Sequence, residues 1–429
     1  MLTVGYFPYG PTARCVEAAW LSEHLSVAVQ VADSSASLND GPPQPLPTLG
    51  RLGHVVRDFL DVPAVVAEGP GGFLWGAILR AHGFAGALTV LPYLNPRRWY
   101  DVAATALYRR FAGRGDRIFL GSRPSAALYR ARGIDASVGE PYGIDDRLFG
   151  IRPDAARVRR ELRIPPGRVM LFVGRAQPDK DLYRLLRVSL KARLLFSDLQ
   201  VVIASHVVDD TYMATAREQL QGSCVHFVVD PSPEQLADLY NVADVFVTAS
   251  TSHFETFGRA PAEALACGCS AIAPRYDGFA EVLAQPGGTL VDVEIDDRTG
   301  TPHADEEHLL RAIYDVLSAR DPCSRREIAE IARRRFGRSA TIDLLRYLAE
   351  GATDEVRPTV AVAEAELPAQ WRQPLAQIAG REPLDALSWF WDGCDHASLG
   401  AYDDAFAAQV RRSLCVPAPA ANEVTLACR

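Results

Sequence analysis

"HFETFGRAPAEALACGCSAIAPRYDGFAEVL", residues 253 to 283, sets one glutamate, Glu255, just before a Phe-Gly step and a second, Glu263, well inside the segment after it. The run ahead of it, "DVFVTAS" (244–250), is apolar enough for a buried parallel strand. From about Arg259 the Ala- and Leu-rich spacing predicts a helix, and "SAIAPR" (270–275) predicts the next strand. Gly258 lets the backbone approach a ligand closely, and the new helix turns its first N–H groups toward whatever lies above the strand ends, a ready anion site. Glu255 lies in the loop and reaches that space; Glu263, in the second helical turn, stands further back. Two acceptor-only groups flanking an anion site suit a ligand with hydroxyls on both sides of a phosphate, which is the shape of a nucleotide sugar. Taken alone, the pair reads equally well as a surface carboxylate and an early-helix glutamate favoured by the helix dipole.

Outward from this stretch, short β-rich runs alternate with helical patterns, the mark of stacked βαβ units. The first series has strand candidates "LTVGYF", "SVAVQVA", "AVVAE", "ALTVL" and "RIFLG", with helices at "ARCVEAAWLSEHL" and "FLWGAILRAHG". Residues 33–50 are Pro/Ser/Gly-rich and read as a surface loop. A second series begins at "RVMLFVG" (168–174) and runs through "LQVVIAS", "VHFVVD", "DVFVTAS", "SAIAPR" and "GTLVDV". The polar, Arg-rich link at 150–167 sets the expected boundary: one Rossmann-like domain over 1–150 and a second over 151–350. Residues 351–429 are then a linker and a Trp-rich helical tail, expected to pack back on the first domain. Two doubly wound α/β domains place ligands at the carboxyl ends of their strands.

The composition narrows the function. A net charge of −8 argues against a nucleic-acid or anionic-membrane partner. No apolar run approaches the roughly 20 residues that span a bilayer, and "MLTVGYFPYG" reads as a first strand rather than a signal peptide, so a cytoplasmic location is expected. Eight cysteines are too sparse for a disulfide framework, and Cys267 with Cys269 read as small buried thiols. Of 45 basic residues only Lys180 and Lys191 are lysine, which reflects a GC-rich coding sequence and makes Lys180 stand out.

Lys180 falls in "LFVGRAQPDKDLYRLL", a strand, a glycine, then Arg175 and Lys180 five positions apart at the opening of a helix. A fork-shaped guanidinium and a mobile ammonium there suit a diphosphate; a solvated pair with Asp179 or Asp181 is the plain alternative. Together with S/T-x-x-x-E-x-F-G-x-x-x-x-E-A-x-A-x-G and the D-G-x-x-E turn that follows, this resembles the Glu-x7-Glu signature of retaining GT-B glycosyltransferases, specifically glycosyltransferase family 4. "GEPYGIDDRLF" (139–149) resembles the family's hinge element, with Tyr142 where Asn is usual and a turn through Gly143, Asp145 and Phe149. The resemblance covers roughly 139–350.

The resemblance implies a GT-B architecture and a nucleoside-diphosphate-sugar donor, a UDP- or GDP-sugar, as co-substrate, with no other cofactor and no metal. Glu263 would bond the donor ribose and Glu255 the transferred sugar. The N–H groups around Thr256, Phe257 and Gly258 would meet that sugar or the distal phosphate, and Arg175 and Lys180 would neutralise the leaving diphosphate. In the first domain, Gly10 and Thr12 of "FPYGPTARC" stand where a Gly-Gly loop is usual and are candidate phosphate contacts. No His follows "ALTVL"; "LPYLNPRRWYD" does, so Tyr93, Asn95, Trp99 and Tyr100, with Glu68 after "AVVA", are the candidate acceptor residues, against a packed aromatic cluster. "VDD" (208–210) and "YDD" (402–404) read as solvated acidic faces rather than metal ligands. The expectation is a metal-independent retaining hexosyltransferase acting on a small soluble acceptor, in natural-product biosynthesis, with a homo-oligomer left open. Two rivals stand beside it. One is a sugar-phosphate glycoside synthase drawing on Arg97, Arg98 and Arg123. The other is a non-catalytic subunit with Trp389, Phe390 and Trp391 as its partner patch.

Overall fold

The computed structural model describes residues 3–8, 27–32, 46–113, 116–139, 143–153, 155–206, 225–319, 324–340, 367–394 and 402–418, with 209, 211–214 and a few isolated positions. The chain divides into two compact units, Met1–Tyr142 with Thr341–Ser413 and Gly143–Ala340 with Leu414–Arg429.

The first unit is built on six parallel strands: β1 (Thr3–Phe7), β2 (Ala28–Val31), β3 (Ala64–Glu68), β4 (Ala87–Leu91), β5 (Asp116–Leu120) and β6 (Ser137–Val138), in the order β2-β1-β3-β4-β5-β6. Every residue of β3 is buried, as in a sheet covered on both faces. β6, with two residues, is too short to leave a periodic signal. Helix Gly71–Ala81 is apolar all round and buries Gly71 to Leu79, so it is a core helix rather than an amphipathic one. The tail contributes helices Ala369–Ala379, Pro383–Ser388 and Asp404–Ser413 and a π turn at Trp389–Gly393. Trp371 packs on Trp99 (ring centroids 6.0 Å) and on Phe406 (4.7 Å), and Phe390 lies 6.3 Å from Tyr100. Trp391 is buried and donates through Nε1 to the Pro47 carbonyl at 2.8 Å. Each such aromatic side chain contributes about 1.5–3 kcal/mol by burial. Phe390 and Trp391 are therefore interior residues, which removes them from the partner patch considered for this segment.

The second unit holds β7 (Val169–Val173), β8 (Gln200–Ser205), β9 (Val225–Val229), β10 (Val245–Val247), β11 (Ser270–Pro274) and β12 (Gly288–Val291), all parallel, in the order β12-β11-β10-β7-β8-β9. All six expected strands are present. "GTLVDV" does not run straight through: β12 stops at Val291, and Val293–Ile295 pairs with Pro302–Ala304 as an unanticipated hairpin.

The division between units falls after Tyr142, not after residue 150. Ile144 donates its N–H to the Phe336 carbonyl, Asn241 Nδ2 donates to the Gly150 carbonyl, and Ile144 and Phe149 sit in the second unit's core. The Arg-rich link after them is anchored in the same core through Val158 and Ile164, so no break falls at residue 150. The second boundary falls after Ala340 rather than 350, and residues from Leu414 return to the second unit.

Candidate active site

β7 and β10 are neighbours in the second sheet, and the chain winds away from them in opposite directions. The crevice at their carboxyl ends is the switch point where open α/β sheets take ligands. Both sequence motifs follow these two strands.

After β7 the chain makes a 3-10 turn, Pro178–Lys180, and Asp181 adopts a left-handed φ of 47° before helix Leu182–Leu195 begins. Lys180 therefore precedes the helix rather than opening it. Its Nζ donates to Glu255 Oε1, which also accepts Ser250 Oγ at 2.6 Å. Glu255 is only 8% exposed, so its charge is held by these two donors rather than by water. Arg175 donates through Nη1 to Gln177 Oε1 and through Nη2 to Asp179 Oδ2, both at 2.6 Å. Asp179 is one of the two partners the sequence leaves open, and a third-exposed pair like this stabilises little by itself. What sets the pair apart is its link to the loop after β10. Asp179 Oδ2 also accepts Ser252 Oγ at 2.8 Å, and the Arg175 guanidinium lies 4.4 Å from the Phe254 ring centroid.

That loop holds its own shape. Ser250 N–H donates to Thr248 Oγ1, and Phe254 N–H to Ser252 Oγ, so the Ser/Thr run supplies the acceptors that a strand or helix would otherwise supply. Gly258, at φ 97°, starts helix Arg259–Ala266, and no side chain caps its first turn. Gly278, in the D-G-x-x-E turn, donates its N–H to the Glu255 carbonyl at 2.9 Å. A Cβ at this position would stand 2.5 Å from the Phe257 backbone carbon, so only glycine lets the turn close on the loop.

Glu263 sits in a different environment. Its Oε2 accepts the Tyr240 hydroxyl at 3.1 Å, and burial pushes the carboxyl up to about 7 while Arg259, the Tyr240 hydrogen bond and His206 pull the other way. The Tyr240 phenol is in turn held well above its ordinary value by burial and by Glu263. Ser250, Ser252, Tyr240 and His206 were not singled out from sequence. The Ser/Thr run before Glu255 and a histidine directly after β8 were the available signals. His206 Nδ1 lies 3.1 Å from Asp230 Oδ1.

The hinge element forms the turn read from it: Leu148 and Phe149 donate N–H to the Asp145 carbonyl, and Arg338 holds the Asp145 carboxylate. Cys267 and Cys269 are buried and free, and burial pushes both thiols up to about 12. Asp403 accepts from Gln370 Nε2 and the Phe406 N–H, both at 2.8 Å, as a structural cap. Among the described residues no group of three or more His, Cys, Asp or Glu is arranged to hold a metal ion. No helix among them is long and apolar enough to cross a membrane.

In the first unit, Glu68 ends β3 and accepts the Tyr93 hydroxyl at 2.8 Å, with Tyr93 at a positive φ of 58°. Asn95 and Trp99 are 0% and 1% exposed, so neither presents a side chain to an acceptor as expected. The physical reason is helix Trp99–Tyr108: Asp101 accepts the Arg97 and Arg98 N–H groups at 3.0 Å and pairs with Arg98 at 2.9 Å, turning the stretch inward. His82 Nδ1 lies 2.8 Å from the Ile78 carbonyl, a helix-end contact. Gly10, Thr12 and most of "ARCVEAAWLSEHL" lie outside the described residues, as do Val208, Asp210 and Tyr142.

Two six-stranded parallel sheets, each covered by helices, give the chain a GT-B fold. Residues 154–335 match the family described as glycosyl transferases group 1. The chain is 34% identical over 160 residues to D-inositol 3-phosphate glycosyltransferase of Segniliparus rotundus, covering 35% of each chain. It is 28% identical over 254 residues to the protein of that name from Thermobispora bispora, covering 56% of each. The chain thus spans between about a third and just over half of the length of these relatives. Among solved structures it is similar to Anabaena HepE in complex with UDP and glucose, with a TM-score of 0.64 and 17% identity over 81% of this chain and 100% of that one. It is also similar to sucrose-phosphate synthase from Thermosynechococcus elongatus, with a TM-score of 0.61 and 19% identity over 81% and 98%.

Proposed function

We propose that the second unit binds a nucleoside-diphosphate sugar and that the chain transfers its hexose to a small acceptor with retention, in the manner of glycosyltransferase family 4. The observation that carries this reading is the meeting of Lys180, Glu255 and Ser250, joined through Ser252 and Asp179 to Arg175, at the β7/β10 switch point. In this scheme Glu263 accepts the ribose hydroxyls and Glu255 those of the hexose. The N–H groups of Thr256, Phe257 and Gly258 take the hexose or the distal phosphate. Lys180 shares its protons between Glu255 and the diphosphate, and Arg175 exchanges Asp179 for a phosphate oxygen. The bond from the anomeric carbon to the diphosphate oxygen breaks, the acceptor heteroatom bonds to that carbon on the same face, and the acceptor proton passes to the departing oxygen. Two side-chain cations and a helix N-terminus stabilise that charge without a metal.

The acceptor is proposed to be a small soluble metabolite of specialised biosynthesis in the cytoplasm, met in the first unit by Glu68 and Tyr93. A sugar-phosphate acceptor is the second reading, favoured by the names of the inositol-phosphate and sucrose-phosphate relatives. Against it, Arg98, one of its three candidate cations, is already paired with Asp101 in the core.

A thermal-shift panel with UDP, GDP, ADP, CMP and dTDP, on wild type and on Arg175→Ala/Lys180→Ala, tests the donor site. One nucleotide should raise the melting temperature of the wild type alone. No shift with any of them overturns the donor assignment. Turnover that survives EDTA supports the metal-free scheme, and inhibition by inositol 3-phosphate or a hexose phosphate would favour the second reading.

A further inference from the structure

A cavity of about 270 Å³ lies within the first unit, between helix Trp99–Tyr108 and the tail helix Ala369–Ala379. Val102, Leu375 and Ile378 line it together with Arg109, Arg110 and Arg132. Helix Trp99–Tyr108 follows β4 and leads to β5, so it runs antiparallel to the strands. Arg109 and Arg110, just past its end, therefore lie at the edge where the strands begin, opposite Glu68 and Tyr93. The sugar-transfer scheme makes no use of this place.

The chemistry of the lining is specific. Arg110 Nη2 donates to the Arg381 carbonyl at 2.6 Å, and Arg109 Nη1 lies 3.5 Å from the Arg132 carbonyl. Among the described residues neither Arg109 nor Arg110 has a carboxylate partner, whereas Arg80, Arg98, Arg152, Arg168 and Arg175 each do. An apolar recess with unneutralised guanidinium groups at its side is complementary to a ligand with an apolar body and one anionic head.

We propose that this cavity binds a small amphiphilic anion, a carboxylate or phosphate carried on an apolar body. A cavity of about 150 Å³ accommodates benzene, so the apolar part has roughly ten carbon atoms. The head group is held by Arg109 and Arg110, and the tail lies against Val102, Leu375 and Ile378. Because one wall is the tail helix, occupancy joins residues 369–379 to the body of the first unit.

Isothermal titration calorimetry of the full chain with decanoate, decyl phosphate and decanol tests this. One saturable site is expected for the two anions, with decanol at least tenfold weaker; the stronger of the two anions identifies the head group. Arg109→Ala/Arg110→Ala should weaken anion binding at least tenfold, and Ala106→Phe, which fills the cavity, should abolish it. Both variants should keep the wild-type thermal shift with nucleotide, which separates a lost site from a misfolded chain. Absence of saturable binding, decanol binding as tightly as decanoate, or affinity indifferent to both variants overturns the proposal.

Discussion

The strand ends of the two sheets have been built in opposite ways. Beyond β7 and β10 the second unit collects two cations, two carboxylates and two serines into one hydrogen-bonded network that still meets solvent at Arg175. Beyond β3 and β4 the first unit closes over: Glu68 is bonded to Tyr93, and Asn95 and Trp99 are interior. A diphosphate makes the same demand whatever is attached to it, namely cations and N–H groups at fixed places. An acceptor demands a shape, which apolar and aromatic packing provides in many ways. The proposed division of labour, with chemistry held in one unit and acceptor choice in the other, can be broken at four places.

The largest effect is expected at Lys180. Lys180→Ala should lower turnover by about 10²–10³-fold, the usual cost of removing a group that stabilises charge in the transition state. It also strands a buried carboxylate, a loss of about 3–5 kcal/mol in stability. Lys180→Ala/Glu255→Gln should recover stability without recovering turnover; recovery of both would make the ion pair structural only. Next is Gly278→Ala, whose Cβ collides with the Phe257 backbone and pushes the Glu255 loop away. A loss of about 1–3 kcal/mol is expected, with turnover falling more than nucleotide affinity.

Glu263 gives a pH signature. Its carboxyl is raised to about 7 in the fold from an ordinary 4.5, so the neutral form is favoured by folding. Its contribution is fully present below about pH 4.5 and is lost as pH rises through 7. Melting temperatures of Glu263→Gln should therefore converge with wild type in acid and exceed it by the equivalent of about 1–3 kcal/mol at pH 8, a gap absent if burial does not shift the group. The smallest effect is expected at Tyr93→Phe, about 1 kcal/mol in stability for a lost hydrogen bond. A raised acceptor KM at unchanged kcat would place an acceptor at Glu68; stability loss alone would leave this end of the first sheet as packing.

The legibility of these features follows the same contrast. Eleven of the twelve strands were readable because apolar runs bounded by turns are what a covered parallel sheet requires, while β6 and the hairpin at 293–304 are too short to show a period. Arg175, Lys180, Glu255 and Glu263 were readable because residue type and spacing are fixed together. Ser250 and Tyr240 were not, since a serine in a loop and a tyrosine on helix Pro233–Val242 acquire their roles only from what the fold sets beside them. Trp99 misled for the same reason: the partner that buries it, Trp371, lies far along the chain. The burial of Phe390 and Trp391 likewise depends on Tyr100 and Pro47.

Two backbone contacts tie the site to a distant stretch of the chain. Asp277, beside the glycine that braces the Glu255 loop, donates its N–H to the Leu414 carbonyl at 2.9 Å, and Val416 donates to the Arg275 carbonyl at 3.1 Å. A nascent chain that has left the ribosome only as far as residue 413 already displays every side chain of the charged network, but not the strip of backbone that steadies the turn behind it. A chain cut after residue 413 would thus keep the full set of charged groups and lose the backbone clasp behind the Glu255 loop.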